Sequence, residues 1–76
     1  MTELIKFIAQ QLVDKPESVD VQEFDEDGEI VIELAVAEDD LGKVIGKQGR
    51  TARAMRAVLS AAATKRKQRY ALEIVE

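Results

Sequence analysis

The residues whose types and spacing could do chemistry are concentrated in one segment, 44–50, which reads Val-Ile-Gly-Lys-Gln-Gly-Arg. Gly46 and Gly49 stand three positions apart, and glycines let a backbone bend sharply and lie against another backbone. A helix that starts after them points unpaired N–H groups and its positive dipole end outward, which suits a phosphate. Lys47 adds a mobile cation, and Gln48 can donate or accept without repelling an anion. The alternative interpretation is a plain turn between two helices.

Basic side chains surround this segment. Lys43 precedes it, and Arg50, Arg53 and Arg56 recur every three residues along the helix predicted to follow, so they form a sloping stripe. Arg50 is the best candidate for a phosphate contact, Arg53 is the next, and Arg56 is interpreted as a solvated helix residue. A second basic group could contact nucleic acid or complement the dipole at the end of that helix; it comprises Lys65, Arg66, Lys67 and Arg69.

The net charge of -4 conceals a division of the chain into an acidic and a basic half. Residues 1–40 carry thirteen acids and two bases, or -11, whereas residues 41–76 carry nine bases and two acids, or +7. An acidic protein with this pattern can present a basic face to an anion. The alternative is that the halves attract each other in the fold, or that both are solvated surface.

Length and composition exclude several classes of function. A chain of 76 residues makes one small domain with little room for an enclosed active site. Without cysteine or histidine, disulfides, thiolate chemistry, zinc-finger ligation and Ser-His or Cys-His nucleophile pairs are excluded, and no metal or cofactor is expected. No apolar run approaches the roughly 18 residues that span a bilayer, and no signal peptide is evident. A cytosolic protein without a membrane partner is expected.

An enzyme would need a motif that the chain lacks. Residues 42–48 superficially resemble a phosphate-binding P-loop, but the spacing is one residue short, and Gln48 stands where a magnesium-binding hydroxyl is required. The acidic runs at 25–27 and 39–40 are interpreted as a solvated turn and a helix start rather than a metal site. Catalysis is therefore not predicted.

Hydrophobic periodicity predicts six elements, of which the first three form a helix and a hairpin. A helix over 2–14 presents one apolar face and ends before Pro16; the face comprises Leu4, Ile5, Ile8 and Leu12. Val19 and Val21 mark a short strand, and residues 25–28 supply turn chemistry with Gly28 able to take a positive φ. A longer strand of alternating apolar residues follows at 30–36.

The sequence pattern in the second half of the chain predicts two helices and a strand. Asp39 or Asp40 caps a short helix with apolar positions at Leu41, Val44 and Ile45, which the glycines then break. A long helix follows at 50–67, and its predicted buried face comprises Met55, Val58, Leu59 and Ala62. Residues 70–75 form the last strand, so the element order is α-β-β-α-α-β.

This order, with a Gly-x-x-Gly loop at its centre, resembles the prokaryotic, type II KH domain over essentially all 76 residues. The most specific part of the match is 45–50, and the lead-in at 39–43 further resembles the bacterial stand-alone KhpA family. The resemblance implies a single KH domain over 1–76 with an α+β fold. It also implies a three-stranded mixed sheet whose helices pack on one face.

The resemblance also places a binding site for single-stranded RNA. A KH loop clamps about four nucleotides along their backbone. It implies that the loop contacts phosphates through Gly46, Lys47, Gln48 and Gly49, supported by Lys43, Arg50 and Arg53. Leu41, Val44 and Ile45 would give the bases an apolar floor, although apolar residues at this spacing are also typical of a core. Three aromatic residues, none in the motif, disfavour recognition on stacked aromatic platforms.

Small residues mark a further face of the long helix at Ala54, Ala57 and Ala61. They could receive the N-terminal helix within one chain, or form a symmetric dimer surface. The resemblance implies a homodimer or a heterodimer with a second KH-containing protein. The predicted function is single-stranded RNA binding without catalysis, as a post-transcriptional regulator or RNA chaperone. The alternative is a protein-interaction module whose KH fold serves mainly dimerisation.

Overall fold

The computed structural model describes residues 1–75. Within them, helices and strands follow one another in the order α-β-β-α-α-β that the sequence predicts. Their bounds are α1 Thr2–Leu12, β1 Asp20–Glu26, β2 Glu29–Ala35, α2 Leu41–Ile45, α3 Arg50–Arg66 and β3 Arg69–Val75. Short 3-10 turns connect them at Pro16–Ser18, Glu38–Asp40 and Lys47–Gly49. No helix in this part of the chain is long and apolar enough to cross a membrane.

The three strands form one mixed sheet in the order β1-β2-β3, with β1 antiparallel and β3 parallel to β2. The predicted hairpin is present, because Glu26 pairs with Glu29 and leaves a two-residue turn at Asp27 and Gly28. These two residues have φ of 53° and 86°, the pattern of a type I′ turn. Asp25 Oδ1 accepts a hydrogen bond of 3.1 Å from the Gly28 N–H. The sequence therefore predicted the hairpin and the turn at Gly28, but β1 is longer than the short strand predicted at Val19 and Val21 and extends to Glu26.

The core lies between the helices and one face of the sheet. Helix α1 packs against β1 and β2, α3 packs against β3, and α2 contacts both other helices. Burying one face of a three-stranded sheet in this way gives a small domain a continuous core. The cluster of buried apolar residues comprises Ile5, Ala9, Val19, Ile32, Leu34, Val44, Met55, Leu59 and Leu72. The α+β class, the mixed sheet and the packing of helices on one face are confirmed.

The buried face of α1 differs from the predicted one. Ile5 and Ala9, one turn apart, are fully buried and Ile8 is half-buried, whereas Leu4 and Leu12 are exposed. The apolar arc of this helix is wider than its contact with the sheet. Because the packing selects one row of side chains at i and i+4, the flanking apolar residues remain at the surface.

The buried face of α3 also differs from the predicted one. Met55 and Leu59 are buried as predicted, and Ala62 is half-buried, but Val58 is 40% exposed and Ala52 is buried instead. The contact with β3 is thus centred on the row that runs through Met55 and Leu59. Val58 lies about 80° from the middle of that row, at the edge of the contact, and is therefore partly open to solvent.

Asp40 fastens the end of α1 to the start of α2. Its side chain is 1% exposed, and its two carboxylate oxygens accept hydrogen bonds from the backbone N–H groups of Asp14, at 3.1 Å, and Lys15, at 3.0 Å. Asp40 occupies the N-cap position of α2 but makes no capping hydrogen bond. The predicted capping role is therefore wrong for this side chain, because the carboxylate is used across the chain instead.

The charge of Asp40 is stabilised by its partners. Burial alone would raise the pKa of this carboxyl. The two backbone N–H donors and the Lys43 ammonium, 3.6 Å from Oδ1, outweigh burial and hold the pKa below the usual aspartate value. A group whose pKa is lower in the folded state stabilises the fold above its unfolded pKa, and this stabilisation is lost as the pH falls through the folded pKa.

Replacing Asp40 with asparagine, Asp40→Asn, should lower the thermal midpoint at neutral pH. The amide presents only one acceptor oxygen to two N–H donors and removes the charge that faces Lys43. The difference between wild type and variant should stay constant above about pH 5 and shrink below about pH 3.9, the ordinary aspartate pKa. Thermal melts of both proteins over this pH range measure the difference in thermal midpoint. The control is Asp39→Asn on an exposed side chain, and equal midpoints for wild type and Asp40→Asn would contradict the role assigned to Asp40.

Candidate nucleic-acid interface

The predicted Gly-x-x-Gly loop turns the chain from α2 into α3. Gly46 ends α2 with φ 80° and ψ 167°, Gln48 has φ 57° and ψ 27°, and Gly49 has φ 73° and ψ 15° before Arg50 begins α3. The Gly46 N–H donates to the Gly42 carbonyl at 2.8 Å, and the Gly49 N–H donates to the Gly46 carbonyl at 3.0 Å. Two helices are thus joined by four residues, of which three have positive φ.

The two loop glycines are required for different reasons. A Cβ at Gly46 would lie 2.3 Å from Thr51 Oγ1 and 2.7 Å from the Thr51 backbone nitrogen, so the first turn of α3 packs directly on this residue. A Cβ at Gly49 would have open space around it, and only its positive φ favours glycine there.

The backbone of the loop offers hydrogen-bond donors. Among residues 1–75, the N–H groups of Lys47 and Gln48 have no backbone acceptor. The Gln48 carbonyl is occupied, because Arg53 Nη2 donates to it at 3.2 Å. The loop therefore leaves two N–H groups available while an arginine holds a neighbouring carbonyl, and successive N–H groups of this kind form a concave site for an anion.

The predicted basic residues occupy three different environments. Lys47 and Arg50 are exposed beside the loop, whereas Arg53 is exposed and bonded to Gln48. Arg56 is not simply solvated, because its Nη2 donates to the Leu72 carbonyl of β3 at 3.3 Å. That prediction is corrected: Arg56 joins α3 to strand β3. Lys47 and Arg50 are thus the exposed cations next to the loop in sequence for which no side-chain hydrogen bond or ion pair is present among residues 1–75, while Arg53 is held at the Gln48 carbonyl.

Lys43 is engaged with acidic side chains rather than directed to the loop alone. Its ammonium forms an ion pair with Asp14 and lies 3.6 Å from Asp40 Oδ1. The hydrogen bond to Asp14 raises the pKa of Lys43, and the attraction of both carboxylates outweighs the opposing effect of burial. A phosphate contact by Lys43 would compete with this pairing, so the predicted role of Lys43 is the weakest among the basic residues.

The three apolar residues predicted to form a floor for the bases differ in their burial. Val44 is fully buried and belongs to the core, while Ile45 is 36% exposed next to the loop. Leu41 is half-buried and lines a cleft of about 370 Å³ together with Val36, Glu38 and Val75. No local sequence signal marks this cleft, because the parallel pairing of Ala35 with Val75 brings the ends of β2 and β3 together.

The alanine face of α3 is uncovered. Ala54, Ala57 and Ala61 are all exposed, and the exposed Val58 lies among them. The interpretation in which this stripe receives the N-terminal helix is wrong, since α1 packs on the sheet and on α2 instead. The basic group at the end of α3 is also exposed, and Lys67 ends the helix with φ 55°. The exposed alanine surface is a candidate for contact with another chain.

Comparison with known proteins agrees with this geometry. The family model described as the KhpA/KhpB KH domain matches residues 2–74. The chain belongs to the KhpA/KhpB KH-domain family. A relative from Halalkalibacterium halodurans, named RNA-binding protein KhpA, is 54% identical over the full length of both chains. A protein of the same name from Caldanaerobacter subterraneus is 53% identical over 99% of this chain and its own full length. Another, from Chlamydia pneumoniae, is 43% identical over all of this chain and 97% of its own.

A solved structure supports the fold of this KhpA/KhpB family member. A crystal structure of Aquifex aeolicus Era superposes with a TM-score of 0.59 at 21% identity, covering 96% of this chain and 28% of that one. At this identity the likeness concerns the fold alone. The family resemblance inferred from the Gly-x-x-Gly loop and the element order is confirmed by the family model and by the relatives named KhpA.

Alanine substitutions at three glycines should separate steric from conformational requirements. Gly46→Ala should lower the free energy of unfolding by about 2 kcal/mol or more, because it combines strain at positive φ with overlap against Thr51. Gly49→Ala should cost about 1 kcal/mol through its φ alone. The matched control is Gly42→Ala in α2, where a Cβ meets no neighbour and should stabilise by about 0.5 kcal/mol or more.

Urea unfolding of the three variants gives these values. Equal destabilisation by Gly46→Ala and Gly49→Ala would show that α3 does not depend on close packing at Gly46.

Proposed function

We propose that the chain binds single-stranded RNA and that the Gly-x-x-Gly loop holds its backbone. The observation that carries this proposal is the pair of backbone N–H groups, at Lys47 and Gln48, that have no backbone acceptor within residues 1–75. Lys47 and Arg50 place two exposed cations beside them. Hydrogen bonds from such donors to a phosphate are charge-assisted and hence stronger than neutral ones. The family relatives named RNA-binding protein KhpA support the same assignment.

The distribution of charge along α2 determines where the phosphates and the bases of the bound strand lie. The loop end of this helix carries Lys47 and Arg50, while the opposite end carries Glu38, Asp39 and the Asp14 to Lys43 ion pair. Phosphates are attracted to the first end and repelled from the second. The sugar-phosphate backbone therefore lies at the loop, and the bases extend over Ile45 toward the cleft at Leu41.

The site fits a binding protein with broad targets. Contacts to phosphate carry no sequence information, and a loop of this kind spans only about four nucleotides. A post-transcriptional regulator or RNA chaperone that meets many RNAs needs this kind of recognition. Its role in the cell therefore depends on holding the sugar-phosphate backbone of RNA rather than on catalysis.

Replacing both central loop residues with aspartate, Lys47→Asp together with Gln48→Asp, should weaken binding to short single strands by about a hundredfold or more. The change replaces favourable charge with repulsion at the phosphate, and charge-assisted hydrogen bonds contribute about 1.5 to 3 kcal/mol each. Both side chains are exposed, so the thermal midpoint should change little. Fluorescence anisotropy with a labelled oligonucleotide measures the affinity.

The matched control makes the same two changes on α1, Lys6→Asp together with Gln11→Asp, at exposed positions. This control should bind with nearly unchanged affinity. Equal loss of affinity in both double variants would point to overall charge, and unchanged affinity in the loop variant would remove the loop from the site.

We further propose that α3 forms a symmetric contact with a second KH domain, either a copy of this chain or another KH-containing protein. The observation that favours it is the exposure of Val58 among Ala54, Ala57 and Ala61. Small side chains on one helix face allow another helix to approach closely. In a twofold contact the same stripe contributes from both partners. The dimer would carry two RNA loops, one at the start of each α3.

Placing a charge in this stripe, Ala61→Glu, should convert a dimer to a monomer. A symmetric contact buries the new carboxylate on both partners, and unpaired buried charges are strongly unfavourable. The folded monomer should survive, with a stability change within about 0.5 kcal/mol, because Ala61 is exposed in one chain. Sedimentation measures the mass, and Ser60→Glu on the adjacent exposed face is the control. An Ala61→Glu variant that stays dimeric would contradict this interface. A wild-type protein that sediments as a monomer would exclude the contact with a second copy and leave only the contact with another KH-containing protein.

A further inference from the structure

Among the described residues, apolar side chains and one carboxylate line the cleft at the start of α2. Val36, Leu41 and Val75 give it apolar walls, and Glu38 is the ionisable side chain among the described residues that line it. A volume of about 370 Å³ lies at the lower end of the range for small-ligand pockets, roughly 300 to 1,000 Å³. Glu38 is exposed at the cleft, and an apolar cleft with one polar group can select the orientation of a flat ligand.

The position of the cleft relative to the loop suits a base of the bound strand. Helix α2, five residues long, separates Leu41 in the cleft from Gly46 at the start of the loop. At 1.5 Å per residue this is about 7 Å, which lies within reach of the roughly four nucleotides that such a loop clamps. A base attached to a phosphate near the loop can therefore reach the cleft.

The charge of Glu38 restricts which part of a nucleotide can lie beside it. Asp39 follows it directly and lies 3.7 Å from the Lys15 ammonium, while Asp14 and Asp40 share Lys43. Four carboxylates therefore face two ammonium groups, and the net negative charge repels a phosphate here. An ionised carboxylate accepts hydrogen bonds and donates none. The group that meets Glu38 must therefore be a base edge that presents N–H donors.

The four bases differ in how many donors they present on one edge. Guanine offers two adjacent donors, N1–H and the N2 amino group, which match the two oxygens of a carboxylate. Cytosine and adenine each place one amino donor beside a ring nitrogen that is an acceptor. Uracil places its single N3–H between two carbonyl oxygens, which a carboxylate repels. A good bidentate contact to a base edge discriminates against the other bases.

We infer that Glu38 makes this site selective for guanine at one position of the bound strand, with the base held against Val36, Leu41 and Val75. The inference rests on the proposed RNA-binding function and adds a base preference to it. The loop supplies affinity that is independent of sequence, and the cleft adds one position of sequence recognition.

The test compares hexauridine with strands in which one uridine is replaced by guanosine, adenosine or cytidine at each position in turn. At one position guanosine should bind about tenfold more tightly than the other bases, the size of one good bidentate contact. Glu38→Gln should abolish this preference, because its amide offers one acceptor and one donor. Asp39→Asn is the matched control, since it removes the same charge next to the cleft and should preserve the preference.

A second measurement, by NMR, tests whether the base lies in the cleft. The methyl resonances of Val36, Leu41 and Val75 should shift on adding the guanosine strand and shift less with hexauridine. Equal affinity of wild type for all four bases would overturn the inference, as would a Glu38→Gln variant that changes every affinity by the same factor. If wild type binds hexauridine without a guanosine preference, only this inference fails. If it binds no strand, the proposed RNA-binding function fails as well.

Discussion

The close approach of Thr51 to Gly46 is the constraint on which the candidate site depends. With the Thr51 nitrogen only 2.7 Å from where a Cβ would stand, no other residue type allows α3 to begin at this distance from the end of α2. That packing forces the chain to turn within four residues, and the turn leaves the N–H groups of Lys47 and Gln48 without backbone partners. Arg53 then holds the Gln48 carbonyl. The donors of the loop are thus a consequence of a steric requirement at a neighbouring glycine.

The rest of the domain holds α2, the loop and α3 in place, and it separates the acidic residues from the basic loop. Asp40 ties the start of α2 to the end of α1, and Arg56 ties α3 to β3 through the Leu72 carbonyl. The acids of the first half lie mostly in the hairpin and in the connections before β1 and before α2, whereas the basic half begins with α2 itself. A protein with a net charge of -4 can therefore offer a locally basic loop to a polyanion.

Sequence patterns predicted what depends on local chemistry. The type I′ turn at Asp27 and Gly28, the break at Gly46 and Gly49 and the element order all follow from residues that are adjacent in the chain. The rotation of each helix about its own axis depends on the surface it packs against, so the exposure of Val58 could not be derived from apolar spacing.

Side chains that reach distant partners were equally beyond sequence reasoning. Asp40 and Lys43 carry the types expected of a cap and a phosphate ligand, yet the fold brings Asp14 to both of them across more than 25 positions of chain. The cleft at Leu41 likewise depends on strand pairing at its far side, where Val75 meets Ala35.

The salt dependence of affinity for a short single strand tests the phosphate clamp most directly. If about three to five phosphates are contacted, the logarithm of the association constant should fall with the logarithm of salt concentration at a slope of about 2 to 3.5. Arg50→Ala should reduce this slope by about 0.7, the share of one phosphate, and Lys65→Ala at the far end of α3 should reduce it less. A flat salt response, or a larger effect of Lys65→Ala than of Arg50→Ala, would contradict the placement of RNA at the loop.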